Sequence, residues 1–167
     1  PRAPLGPVPQ QGTEEFELLF QTSAHGIGLV GHCELCFDGR TLTYGAYDPV
    51  HQRLLRTAGA GIVFSAPRGP YLRWCIGTHH RRVISYSLCL PPAQAAQLRA
   101  ELERFRQTLS PWQPEALPEG CFAGRLRRLG GVRFWRVQRG PYATYFIPTI
   151  NCVSLTNELL EKTDIGR

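Results

Sequence analysis

Apolar and polar positions along this chain change period several times, and each change predicts an element. Residues 14–23, EEFELLFQTS, and the run 32–37, HCELCF, are dense in apolar and β-forming side chains and read as strands. Asp38-Gly39 follows, the dipeptide that suits a two-residue turn, so RTLTYGAYDP returns as the second arm of a hairpin whose first arm carries His32. The run RRVISYSLCL (81–90) alternates Val83, Ser85, Ser87 and Cys89 against Ile84, Tyr86 and Leu88, the period of a strand. At Pro91 the period becomes helical. PPAQAAQLRAELERFRQTL spaces Leu98, Leu102, Phe105 and Leu109 at i, i+4, i+7 and i+11, with proline in its first turn.

Three other stretches, GPYLRWCIG, CFAGRLRRL and GVRFWRVQRG, predict strands, and residues 49–70 predict a connection with one short strand at Ile62–Ser65 that can serve as a cover. Near the end a β-rich run through Tyr145, Phe146 and Ile150 is broken by Pro148. Asn151 is then a good N-cap for a helix opening at Cys152. The expected fold class is α+β, an antiparallel sheet packed with helices. PRAPLGPVPQQGT (1–13), with four prolines and no periodicity, reads as an extended leader or linker, and 14–167 as a single domain.

Composition narrows the classes. The chain of 167 residues has a hydrophobic share of 43% and a charged share of 19%, and no long apolar run, so no membrane span is encoded. It lacks Met and begins with Pro, which reads as a processed or trimmed form in which an N-terminal signal could already be missing. The net charge is +6, and Lys162 is the only lysine, so the positive charge is almost all arginine. Guanidinium groups suit anionic partners, and Arg133, Arg136 and Arg139 suggest a basic strand face; an arginine-rich composition also follows from a GC-rich genome. No motif interleaves the arginines with base-stacking aromatics, so no nucleic acid is expected.

Six cysteines (33, 36, 75, 89, 121 and 152) match neither a disulfide framework nor paired zinc knuckles. Cys33 and Cys36 stand three apart on a strand, pointing to opposite faces, so the expectation is buried small residues and no metal or other cofactor. Cys152 differs from the rest by its place at a helix N-terminus, where unpaired N–H groups and the helix dipole favour the thiolate. The candidate bases for it are His25, His32, His51, His79 and His80. His32 is favoured, because it stands at the start of a strand behind Gly31, on a hairpin whose second arm can supply an orienting group.

The segment G-H-x-E-L-x-F-D-G-R-x-x-x-Y-G (Gly31 to Gly45), followed far downstream by N-C-x-x-x-x-N-x-L-L (Asn151 to Leu160), resembles the circularly permuted branch of the papain-like fold. That branch includes permuted NlpC-type cell-wall amidases and peptidases and the lecithin retinol acyltransferase group. The resemblance covers roughly residues 20–162. It implies a permuted papain-like architecture and a cysteine amidohydrolase or peptidase, with Cys152 as nucleophile, His32 as base and the Cys152 N–H in the oxyanion hole. Relatives place a His, Asn, Gln or acid on the strand after the base, where this chain reads Leu42-Thr43-Tyr44-Gly45. Thr43 or Tyr44 is therefore the expected orienting residue, Thr43 lying opposite Glu34 on the His32 face if Asp38-Gly39 is a two-residue turn, and Asp48 a better one chemically but farther along the strand. The implied substrate is an amide in peptidoglycan or a related cell-envelope peptide, in a periplasmic or secreted setting. The alternatives are a lipid acyltransferase or thioesterase on the same dyad, and a non-catalytic module for an anionic partner.

Overall fold

The computed structural model describes residues 13–22, 31–53, 57–113, 120–163 and 165. The predicted leader, His25 and the glycine-rich approach to His32 lie outside them, except for Thr13 and Gly31. The described residues form an α+β fold around a seven-stranded sheet whose neighbours are all antiparallel. In chain order the strands are β1 (Glu14–Thr22), β2 (His32–Phe37), β3 (Arg40–Gly45), β4 (Ala58–Ala60), β5 (Ile62–Pro67), β6 (Arg82–Leu90), β7 (Leu109–Pro111), β8 (Arg133–Val137) and β9 (Thr144–Phe146). The large sheet runs β6-β1-β2-β3-β5-β8-β7, and β4 pairs with β9 in a separate ribbon.

The helices are α1 (Arg68–Arg73), α2 (Pro92–Gln107), α3 (Phe122–Arg127) and α4 (Cys152–Glu161). They cover both sheet faces, because strand side chains alternate in direction. On one face Phe16, Leu35, Phe37 and Leu90 pack with Ala95 and Leu98 of α2, and Tyr44, Val63 and Val137 pack with Leu155 and Leu159 of α4. On the other, Phe64 and Ala66 pack with Tyr71 of α1, with Trp74 and Cys75 of the π-helical turn that continues it (Trp74–Thr78), and with Leu126 of α3.

Several expectations hold here: the strand at 14–22, the Asp38-Gly39 hairpin, the strand at 82–90, and the long helix, which ends at Gln107 and leaves Leu109 to β7. Two do not. GPYLRWCIG is not a strand but α1 and the π turn; Tyr71, Trp74 and Cys75 fall at i, i+3 and i+4, the spacing of one helical face. CFAGRLRRL is not a strand but α3; Ala123 and Leu126 are its buried residues, and Cys121 Sγ caps it by accepting from Gly124 N at 3.3 Å. The short strand expected at Ile62–Ser65 runs to Pro67, and the segment before it adds β4.

The basic face expected on β8 is also divided. Arg133 is exposed, whereas Arg136, three residues on, points to the other face and donates to the buried Asp48.

One feature of the sheet positions the site. The β2–β3 ladder runs from Phe37↔Arg40 to Leu35↔Leu42 and stops, although β2 stays paired with β1 back to His32 and β3 with β5 as far as Gly45. The hairpin is therefore closed at its turn and open at His32.

Candidate active site

Cys152 owes its position to the cap of α4. Asn151 Oδ1 accepts from Val153 N (2.9 Å) and Ser154 N (3.1 Å), while Ser154 Oγ accepts from Asn151 N (2.9 Å), a complete capping box. Asn151 Nδ2 also donates to the carbonyl of Ile147 at 2.8 Å, tying the cap to the preceding turn. Such a cap is worth about 1 kcal/mol. The thiol is 5% exposed, and its sulfur accepts the N–H of Cys33 at 3.3 Å. That N–H lies in the part of β2 that makes no ladder with β3, so opening the hairpin supplies the sulfur with a donor.

The expected depression of the Cys152 pKa is not found. Burial pushes the thiol above the ordinary cysteine range, and the N–H groups of Cys33, Val153 and Cys152 itself oppose that push without cancelling it. The helix N-terminus is present, but desolvation outweighs it. Burial, aided by the positive charge of Arg81, likewise holds the His32 imidazole down to about 4. The resting pair is thus a neutral thiol and a neutral imidazole.

His32 is held from behind. Its Nε2 lies 2.5 Å from Thr43 Oγ1 and 3.0 Å from the Tyr47 hydroxyl, which themselves stand 3.2 Å apart. Continuing the hairpin register puts Thr43 opposite Glu34, on the His32 face, as expected from the two-residue turn. Glu34 follows at 3.5 Å from His32 Nε2 and is fully buried, accepting from Gln21 Nε2 (2.6 Å) and the Tyr71 hydroxyl (2.5 Å). Burial raises its carboxyl to about 7 against the pull of hydrogen bonds from Tyr71 and Gln21, the charge of Arg81 and a hydrogen bond from Thr43.

Of the two expected orienting residues, Thr43 reaches the imidazole and Tyr44 does not. Tyr44 points to the opposite face of β3, where its hydroxyl donates to the carbonyl of Tyr142 at 2.9 Å and its ring packs against Tyr142 and Tyr145. Asp48 also serves elsewhere, accepting from His51 Nδ1 (2.7 Å) and Arg136. Tyr47 takes the place expected of Tyr44. It is half-buried, stacks on Phe122, and lies so close to β3 that a Cβ at Gly45 would be 2.7 Å from its ring. That close approach was the available signal, since a glycine ending a strand often marks where another group comes near.

Cys33 and Cys36 are both buried, with their thiols raised by burial to about 11 and about 12. Of the other histidines, His79 packs edge-on to Trp74, and His80 occupies a left-handed backbone position.

Cys152, Cys33, His32 and Tyr47 line one cleft of about 940 Å³. Its walls also include Phe20, Phe122, Tyr145, Ile147 and Val153, with Arg81, Arg125 and His79 as further polar groups. The arrangement combines a thiol at a helix N-terminus, an oriented imidazole and room for a substrate, the parts needed for attack on an acyl carbon. Among the described residues no helix is long and apolar enough to cross a membrane. Comparison of the chain with protein-family models, with curated proteins and with solved structures returned no match.

Proposed function

We propose that this protein is a thiol-dependent hydrolase that cleaves an amide bond through Cys152 and His32, in peptidoglycan or a related cell-envelope peptide. The observation that carries the reading is the shared cleft: a capped helix presents Cys152 Sγ to the backbone of Cys33, and His32, on the wall of the same cleft, is held by Thr43 and Tyr47. The resemblance of Gly31–Gly45 and Asn151–Leu160 to the permuted papain-like branch supports the same roles and the corresponding architecture.

With the imidazole proton on Nε2, that N–H donates to Thr43 Oγ1 and leaves the Nδ1 lone pair as the base. His32 takes the thiol proton as sulfur bonds to the carbonyl carbon, and the oxyanion receives the N–H of Cys152, a first-turn donor with no intrahelical partner. Collapse expels the amine, which takes the proton from His32, and leaves a thioester. Water activated by His32 then hydrolyses the thioester and restores the thiol. The neutral resting pair means that proton transfer accompanies attack rather than preceding it.

A second reading has its own observation. Phe20, on the cleft wall, packs edge-on to Tyr86, and Ile84, Tyr86 and Leu88 are exposed along β6. This apolar strip leads out of the cleft and would suit an acyl chain, making the same dyad a lipid thioesterase or acyltransferase.

Mass spectrometry of products from wall peptides and from phospholipids, with wild type and Cys152→Ala side by side, separates the readings. Release of new amino termini by wild type alone supports the amidase. Release or transfer of fatty acyl groups by wild type alone supports the lipid enzyme. Equal products from both proteins would reject the thiol mechanism.

A further inference from the structure

Phe122, stacked on the Tyr47 that holds His32, gathers on its ring positive and hydrogen-bonding groups that the dyad does not use. The Arg81 guanidinium lies over its ring, 5.7 Å from the centroid. His79 packs against the same ring with centroids 6.2 Å apart, and Arg125 stands three residues on, on the same side of α3. All four residues line the cleft that holds Cys152.

Arg81 is not a loose surface side chain. Its Nη1 donates to Gln21 Oε1 at 2.9 Å, and Gln21 is anchored in turn by donating to Glu34 Oε2 and to the Tyr71 hydroxyl. The guanidinium is thus held at one edge by an amide oxygen and along its plane by an aromatic ring, with no carboxylate among its described partners. His79 Nε2 is buried and has no hydrogen-bond partner among the described residues. The described residues lining the cleft include two arginines and no Asp or Glu; Glu34 is fully buried behind Gln21, with its oxygens engaged. A half-buried cation that no carboxylate contacts directly, although its charge also acts on Glu34 behind Gln21, stands next to an unsatisfied buried ring nitrogen and is poised for an anion with several acceptor oxygens.

We propose that Arg81, Arg125 and His79 form a subsite for an anionic group of the substrate, a carboxylate or a phosphate, carried on the molecule whose acyl carbon meets Cys152. Arg81 is the principal specificity residue, because Gln21 and Phe122 fix its orientation before binding, so less side-chain freedom is lost when the anion arrives. Arg125, at the exposed edge, adds long-range attraction. The inference rests on the thiol reading for its substrate but not for its test.

The test uses two small alkylating agents of the same size, anionic iodoacetate and neutral iodoacetamide, with modification of the Cys152 peptide followed by mass spectrometry. Both displace iodide from the same thiolate, so the ratio of their rates cancels its pKa. For wild type the iodoacetate-to-iodoacetamide ratio exceeds that of free cysteine by about tenfold, from electrostatic concentration of the anion in the cleft. Arg125→Gln lowers the ratio slightly, Arg81→Gln lowers it most, to near the free-cysteine value, and Arg81→Lys restores part of the loss. A wild-type ratio at or below that of free cysteine overturns the subsite, as does a raised ratio that Arg81→Gln leaves unchanged. Circular dichroism of each variant confirms that the fold is retained. Competition by acetate and by inorganic phosphate tells which anion fits: protection of Cys152 from iodoacetate at lower phosphate than acetate assigns a phosphate, and the reverse a carboxylate. Protection by neither overturns the proposal. Because the ratio needs no turnover, it stands or falls apart from the hydrolase reading, which fails if no wall or lipid product depends on Cys152.

Discussion

The two ends of the β2–β3 hairpin are built from adjacent residues of the same strands and follow different rules. At the turn, Phe37↔Arg40 to Leu35↔Leu42 are paired, and Leu35 and Phe37 lie in the core beneath α2. At the other end the strands make no ladder with each other, and the gap is filled by His32, Glu34 and Thr43 with Tyr47, Gln21, Tyr71 and the sulfur of Cys152. The closed end is maintained by local pairing and burial. The open end is maintained by hydrogen bonds among groups from distant parts of the chain, and releasing the β2 backbone is what gives Cys33 N–H to the thiol. Stability and chemistry are therefore separable along one hairpin.

Substitution of His32 by Gln is expected to have the largest effect, lowering kcat/KM by about 10³-fold, the upper part of the usual range for a general base. Above about pH 7, where the imidazole is neutral in the folded and unfolded chain alike, its melting temperature should stay near that of wild type; a collapse in stability there with proportionate loss of activity would instead make His32 part of the structural end. Phe37→Ala at the closed end should do the opposite. Removing this 5%-exposed ring costs about 3–5 kcal/mol in denaturant unfolding, with activity per folded molecule retained.

A pH series sharpens the comparison, because two neighbouring groups at the open end shift in opposite senses. Glu34 is raised to about 7 in the folded chain, so its contribution is present at low pH and is lost as pH rises from its unfolded value through 7. His32 is lowered to about 4, so its contribution is present above its unfolded value and is lost as pH falls towards 4. The two slopes oppose each other between about pH 4.5 and 6.5. Glu34→Gln should make stability rise with pH across that window relative to wild type, and His32→Gln should make it fall, each by on the order of 3 kcal/mol. Parallel pH profiles for wild type and both variants would mean that neither group is held as the structure places it. The smallest expected effect is that of Thr43→Val, a loss of about 10-fold in kcat from a mispositioned imidazole; an unchanged kcat would assign the orienting role to Tyr47 alone.

How much of this was legible in the sequence follows the same division. Asp38-Gly39 and the flanking strands predicted the turn and, through it, placed Thr43 opposite Glu34. Asn151 predicted the start of α4, and its capping box confirms why: the cap is a contract among four consecutive residues. Both are short-range. GPYLRWCIG and CFAGRLRRL were misread because short apolar runs fit strand and helix periods alike, and only the sheet face they cover decides between them. Tyr44 was expected for its spacing, and Tyr47, three residues on, was not. The direction of β3 sends Tyr44 to the α4 face, and the chain leaving Gly45 turns Tyr47 back towards His32. The Cys152 thiol was expected to be acidic from its helix terminus alone; its burial, which depends on elements from the whole chain, reverses the direction.

The most direct test of the account is acylation by p-nitrophenyl acetate, an activated ester that asks only for a nucleophile and its base. Wild type should release a burst of nitrophenolate approaching one per chain and carry an acetyl group on the Cys152 peptide after acid quench. His32→Gln should lose most of the burst rate, and Cys152→Ala should show neither burst nor adduct. A burst of wild-type size in Cys152→Ala, or acetyl found on another residue while Cys152 stays free, would contradict the assignment of Cys152 as the nucleophile.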